Sequence, residues 1–210
     1  MSAPRAVLVT GATTPLGVAL IHRLLADPGV ASVVAVALDP HPALPADPRV
    51  HFVPTDLCRE RNVRQLLSGP GREHRVDTIV HAALHRAAHA EGGASRRLHV
   101  EATRLLLRLA DAAPQLRTFV LRSDAGVYKV RATTPQLLRE DHPLELAASA
   151  PQWVRDRVEA DVIACACMGL DDLRVVVLRC AEIVAPSMGS QLLDWLSGRV
   201  CLRPFGFDPM

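Results

Sequence analysis

Six short apolar runs, spaced by amphipathic stretches, leave this 210-residue chain few ways to fold. The runs are RAVLVT (5–10), SVVAVAL (32–38), VHFV (50–53), DTIVHA (77–82), RTFVL (117–121) and RVVVLR (174–179). Each is rich in Val, Ile or Leu and apolar on both faces, as strands of a parallel sheet covered on both sides must be. The segments 16–26, 60–68, 94–113 and 152–168 are amphipathic and long enough for crossover helices. Strand and helix alternating in this way predict an α/β fold, a doubly wound parallel sheet with helices on both faces. DPHPALPADPR (39–49) is a loop, because proline interrupts helix and ladder alike.

The length suits one well-buried domain. With 49% apolar and 22% charged residues, the chain reads as globular rather than disordered or fibrous. A formal charge of +2 gives no reason to expect nucleic acid or an acidic membrane surface as partner. Cys58, Cys165, Cys167, Cys180 and Cys201 are an odd set without zinc-like spacing, so reduced thiols are expected. The opening MSAPRAVLVTGA passes straight into a strand, and no apolar run approaches the roughly 18 residues that span a bilayer. A cytoplasmic protein with no signal peptide and no membrane span is the expectation. His81, His85 and His89 recur at four-residue spacing, but His81 belongs to a strand end and no carboxylate has ligand spacing, so no metal site is expected.

Between the first strand and the first helix stands VTGATTPLG. Gly11 and Gly17 take the first and third places of a G-x-x-G-x-x-G turn, and Thr14 takes the middle one. Such a turn brings backbone N–H groups and the positive end of a helix to one place, where a dinucleotide pyrophosphate can rest. Thr13, Thr14, Pro15 and Leu16 complete the candidate phosphate site. Thr14-Pro15 also has a purely structural logic, an N-cap followed by proline at the first helical position. Thr14 narrows the phosphate site while offering a hydroxyl donor to a phosphate oxygen. Asp39 ends the second strand 22 residues after Gly17, where an acid accepts from ribose hydroxyls and repels a 2′-phosphate. NAD is therefore expected over NADP, with weak binding, and the alternative is a cofactor-free relic.

Taken together, these motifs resemble the extended short-chain dehydrogenase/reductase family of the NAD-dependent nucleotide-sugar epimerase and dehydratase type. VTGATTPLG is similar to that family's V-T-G-A-T-G-x-x-G. TDLC (55–58) matches its D-L after the third strand, which implies Asp56 and Leu57 near the adenine. VDTIVHAA (76–83) matches V-D-x-V-x-H-x-A-A, which implies that His81, Ala82 and Ala83 line the cofactor. FVLRSDAGVYK (119–129), EDHPLE (140–145) and VVVLRCAEIVAP (175–186) follow in the family's order. The resemblance implies a Rossmann-type NAD(P)-binding domain over 1–186. It also implies that 187–210 is the start of an incomplete C-terminal lobe, which in the family grips a nucleotide sugar.

The family's chemistry needs Y-x-x-x-K on a helix, with a Ser or Thr four residues before the Val-Tyr tyrosine. The only tyrosine and the only lysine here are adjacent, Tyr128 and Lys129, and four residues after Tyr128 stands Ala132. Tyr128 is the structural tyrosine of the V-Y strand-end motif. Alignment puts Trp153 in the Tyr slot, Arg157 in the Lys slot and Asp124 in the Ser/Thr slot. An indole N–H does not titrate in the useful range, and a carboxylate repels a developing alkoxide. Arg157 keeps a positive charge able to hold ribose or phosphate.

Three functions remain open on the sequence. One is a dinucleotide-binding member without Tyr-Lys redox catalysis, acting in binding or regulation. A second is an active epimerase, dehydratase or reductase that uses Asp124 or His142 as acid/base. The third is a dimerising interaction module with no cofactor, a homodimer through 94–113 and 152–168, whose broad apolar faces serve core packing equally well.

Overall fold

In the computed structural model, residues 4–83, 93–110, 113–131, 134–135, 137–170, 172–181 and 197–198 are described. The six expected strands form: β1 (Arg5–Thr10), β2 (Val30–Ala37), β3 (Val50–Pro54), β4 (Thr78–His81), β5 (Thr118–Asp124) and β6 (Arg174–Cys180). They make one sheet in the order β3-β2-β1-β4-β5-β6, every pair parallel. The order reverses between β1 and β4, and that switch point is where open α/β sheets receive ligands, beyond the carboxyl ends of the strands.

Helix α1 (Pro15–Leu25) joins β1 to β2, and α2 (Glu60–Ser68) with the short α3 (Pro70–Glu73) joins β3 to β4. Helix α4 runs through Ala94–Arg96, a π-helical segment Arg97–Glu101, and Ala102–Arg108. Helix α5 (Gln152–Ala166) precedes β6. The pleat explains the two layers. Val7, Val9, Val33 and Ala35 face Leu20, Ile21 and Leu24 of α1. Leu8, Val34, Val36, Ile79, Phe119 and Leu121 face the other way, against Val63 and Leu66 of α2 and Leu106 of α4. A third cluster, Val127, Val154 and Val158 with Leu144 and Trp153, fixes the start of α5 over the turn after β5.

Two boundaries differ from the sequence reading by three residues or more. Strand β5 continues three residues past Leu121, because its ladder with β6 holds as far as Asp124 opposite Cys180. Helix α4 stops at Arg108 rather than running to 113; the N–H of Leu109 closes it on Leu105 and Leu107. Cys58, Cys165, Cys167 and Cys180 are free thiols. Cys201, His85, His89, Ala132 and, apart from 197–198, the segment 187–210 lie outside the described residues. Among the described residues, no helix is long and apolar enough to cross a membrane.

Candidate functional site

The glycine turn is built by contacts that exclude side chains. Gly11 has φ +67°, and a Cβ on it would lie 2.8 Å from the Cα of Ala83. A Cβ on Gly17 would lie 2.2 Å from the carbonyl oxygen of Gly11. Both positions therefore require glycine, one for its backbone angle and both for close approach. Thr14 caps α1: its hydroxyl accepts from the Gly17 N–H at 3.0 Å and donates to the Gly11 carbonyl at 2.8 Å. The hydroxyl offered by the sequence to a phosphate is thus committed within the turn, and that expectation is corrected. Pro15 brings no N–H, and Val18 N–H bonds back to the Thr14 carbonyl. Leu16 keeps the one first-turn N–H with no partner among the described residues. Thr13 and Leu16 are half-buried at the mouth of the turn, and Asp39 is exposed just past the end of β2.

Asp56 organises its own loop. Its carboxylate accepts from Cys58 N–H at 3.0 Å and pairs with Arg59 at 3.1 Å. Leu57 is a core residue at 5% exposure. Ala82 and Ala83 are buried beside the turn, and their N–H groups reach the Thr10 hydroxyl at 3.1 and 3.2 Å. That oxygen, already accepting twice, gives its own proton to His81 Nδ1 at 2.7 Å. His81 must then carry its proton on Nε2. Burial pushes its pKa down to about 4, so it is a neutral imidazole at pH 7.

The carboxyl ends of β4 and β5 meet α4 and α5 around a hollow lined by His81, His99, Ser123, Asp124, Arg157 and their neighbours. The three aligned slots converge here. Arg157 Nη1 donates to Asp124 Oδ2 at 2.8 Å, with both side chains about one-fifth exposed. The same guanidinium lies over the Trp153 ring, 4.9 Å from its centroid. Asp124 also caps the turn Ala125–Val127 by accepting from Gly126 N–H at 2.7 Å, and the Trp153 ring rests near Gly126. An ion pair with a cation–π contact therefore joins these three side chains.

Behind this triad lies a carboxylate that the sequence reading did not single out. Asp161 of α5 is fully buried; it accepts from Ser123 Oγ at 2.6 Å and holds Arg179 of β6 through two bonds of 2.8 and 3.0 Å. Arg179 also reaches the Tyr128 hydroxyl at 3.2 Å and the Glu140 carbonyl at 2.7 Å, and its guanidinium stacks on the Tyr128 ring at 5.0 Å. Ionic bonding to Asp161 raises the Arg179 pKa further still. Tyr128 is thus clamped between β6 and the loop before α5, as a structural tyrosine would be. Its neighbour His142 meets it edge-on at 5.9 Å and donates Nε2–H to the Lys129 carbonyl at 2.9 Å. His142 is not among the residues lining the hollow. A signal for Asp161 was available: it sits four residues after Arg157, an acid on the helix face that must turn toward the sheet.

Comparison with known proteins agrees with this fold. The profile of the NAD dependent epimerase/dehydratase family matches residues 7–199. An uncharacterized protein of Mycobacterium tuberculosis and one of Mycobacterium bovis are each 30% identical over 210 residues, covering 98% of this chain and 54% of theirs. The chain spans about half the length of these curated relatives. Among solved structures, the Bordetella bronchiseptica enzyme WbmH in complex with NAD+ superposes with a TM-score of 0.74 at 21% identity, over 91% of this chain and 60% of that one. DesIV of Streptomyces venezuelae, a dTDP-glucose 4,6-dehydratase with NAD and DAU bound, gives 0.71 at 25% identity, over 87% and 57%. The chain belongs to the NAD-dependent epimerase/dehydratase family.

Proposed function

We propose that this chain is a nucleotide-binding member of its family that has given up Tyr-Lys proton transfer and acts in binding or regulation. The observation that carries the reading is the mutual neutralisation of the three slots: Asp124 is held by Arg157, and Arg157 by the face of Trp153. Each substitution alone removes a catalytic group; together they form a closed set with no proton to move. Asp124 as a general base would have to leave a guanidinium 2.8 Å away, and His142 is turned to a carbonyl outside the hollow.

The turn suits the pyrophosphate of an NAD-type dinucleotide, since Gly11 and Gly17 let it close tightly against Ala83 and Ala12 and so set the N-terminus of α1 beside β1. Leu16 N–H would meet a phosphate oxygen, and the exposed carboxylate of Asp39 would accept from ribose hydroxyls. When bound, the nicotinamide supplies hydride chemistry; the residues of this chain bind and orient it without supplying the accompanying proton. Affinity is weak, because Thr14 holds the Gly17 N–H that a phosphate would otherwise use. A nucleotide-sugar-like second ligand, the lobe beginning at 187 and pairing of two copies through α4 and α5 belong to the same proposal.

Titration with NADH, followed by its fluorescence and by calorimetry, tests the reading. Saturable binding in the micromolar range or weaker, without NAD+/NADH interconversion on UDP- or dTDP-sugars, is the expected result. Turnover that Trp153→Phe abolishes would show Trp153 in a live site and end the proposal.

A further inference from the structure

Strand β5 alternates: Phe119, Leu121 and Ser123 are buried toward the α4–α5 layer, while Val120, Arg122 and Asp124 take the opposite parity. Arg122 therefore stands one pleat below Asp124 on the same side, and it too borders the hollow. The β6 ladder sets Leu178 opposite Arg122 and Cys180 opposite Asp124, which makes Cys180 the diagonal neighbour of Arg122. No described carboxylate pairs with Arg122, and its Nε is buried without a hydrogen-bond partner. The Nε of Arg157 is likewise buried and unpartnered. Burial first, and the like charge of Arg157 besides, push the Arg122 pKa down, while Cys180 and Asp124 oppose the shift.

Two guanidiniums thus stand at a partly buried strand end where Asp124 pairs with Arg157 alone among the described residues. An uncompensated buried charge is costly, and an apolar residue would satisfy this pleat more cheaply. The chemistry that offsets the cost is an incoming oxyanion, for which guanidinium donors are suited. We infer that Arg122 and Arg157 form a binding site for an oxyanion, phosphate or carboxylate, carried by a small-molecule ligand, with Asp124 as the tether that positions Arg157. The inference rests on the hollow itself and stands whether or not a dinucleotide occupies the glycine turn.

The test uses the full chain and inorganic phosphate, with acetate as the carboxylate arm, at constant ionic strength. Arginine Nε–H resonances in 15N-correlated spectra report the contact directly. Two of them, lost or moved in Arg122→Met and Arg157→Met, should shift saturably with millimolar phosphate. Arg122→Met should weaken binding about tenfold or more, and Arg122→Lys should retain most of it. If acetate matches phosphate, the ligand group is a carboxylate; if phosphate alone saturates, it is a phosphoryl group. Should Arg122→Met unfold the chain, the wild-type Nε shifts and the lysine variant still decide. Absence of saturable Nε shifts with both anions overturns the inference. So does phosphate binding that Gly11→Ala abolishes and Arg122→Met spares, an outcome that places the anion on the glycine turn and leaves the dinucleotide reading standing.

Discussion

The β1–α1–β2 corner and the β5–α5 corner come from one family plan and have been treated in opposite ways. At the first, function is made by backbone: a positive φ at Gly11, a close approach at Gly17, and N–H groups at a helix start. At the second it would be made by side chains, and all three slots hold different chemistry. A backbone site is also a folding site, because the turn proposed to cradle phosphate is the turn that seats α1 against β1. A side-chain site can be rewritten whenever the new groups satisfy one another, as Asp124, Arg157 and Trp153 do. A fold kept while its side-chain chemistry changes, as proposed for this chain, is the expected product of that asymmetry.

The sharpest way to break the comparison is at Asp161. If the β5–α5 corner is as firmly assembled as the glycine corner, its buried acid must be indispensable. Asp161→Ala leaves Arg179, at 17% exposure, without its partner and Ser123 without an acceptor. Removing one member of a buried pair costs about 3–5 kcal/mol. Urea denaturation should show that loss; a cost below about 1 kcal/mol would mean that this corner is loosely built and its triad incidental.

His81 is the seam between the corners, bonded to Thr10 of β1 and bordering the hollow at β5. Its folded pKa, about 4, lies below the ordinary 6.5, so the unfolded chain takes up the proton first as pH falls. The contribution of neutral His81 is complete above pH 6.5, declines between 6.5 and about 4, and levels off below. A shift of that size corresponds to about 3 kcal/mol. Stability measured across this window should fall less steeply in His81→Gln than in the parent chain; equal slopes would mean that His81 is not held neutral.

At the glycine corner, Gly17→Ala forces a methyl to within 2.2 Å of a backbone oxygen, which cannot swing away as a side chain would. A loss of about 1–3 kcal/mol is expected, together with loss of NADH binding. Stability and binding should fail together here. At the β5–α5 corner, Trp153→Phe should change stability modestly and leave NADH binding in place. Binding that survived Gly17→Ala would separate fold from function at the one site where they are argued to coincide.

Much of this was legible in the sequence. The alternation of apolar runs gave the six strands and the doubly wound layout, because burial on both faces writes itself into consecutive residues. The three slots, Asp124, Trp153 and Arg157, came from the family resemblance, and Arg157 contacts both of the others. What spacing did not reveal was who neutralises whom. Asp124 read as a free carboxylate until Arg157, 33 residues away, closed on it. Arg122, Asp161 and Arg179 went unremarked, since a charge inside an apolar run shows its partner only once β5, α5 and β6 are adjacent. Thr14 was misread in one respect for a related reason: the sequence shows a hydroxyl, not the direction in which it donates.

That hydroxyl gives the smallest and most specific prediction. In Thr14→Gly the Gly17 N–H loses its acceptor and the Gly11 carbonyl loses a donor. Replacing a threonine cap by glycine costs only a few tenths of a kcal/mol. The freed N–H then joins that of Leu16 in facing a phosphate, and a hydrogen bond to a charged oxygen is worth about 1.5–3 kcal/mol. NADH should bind roughly tenfold tighter while the melting temperature barely changes. The two corners make opposite forecasts for this variant: tighter binding follows if the cap competes with the ligand for one N–H, whereas unchanged or weaker binding would mean that the pyrophosphate never used this turn. The second result would leave Asp124, Arg157 and Trp153 as they are and remove the glycine corner from the proposed function.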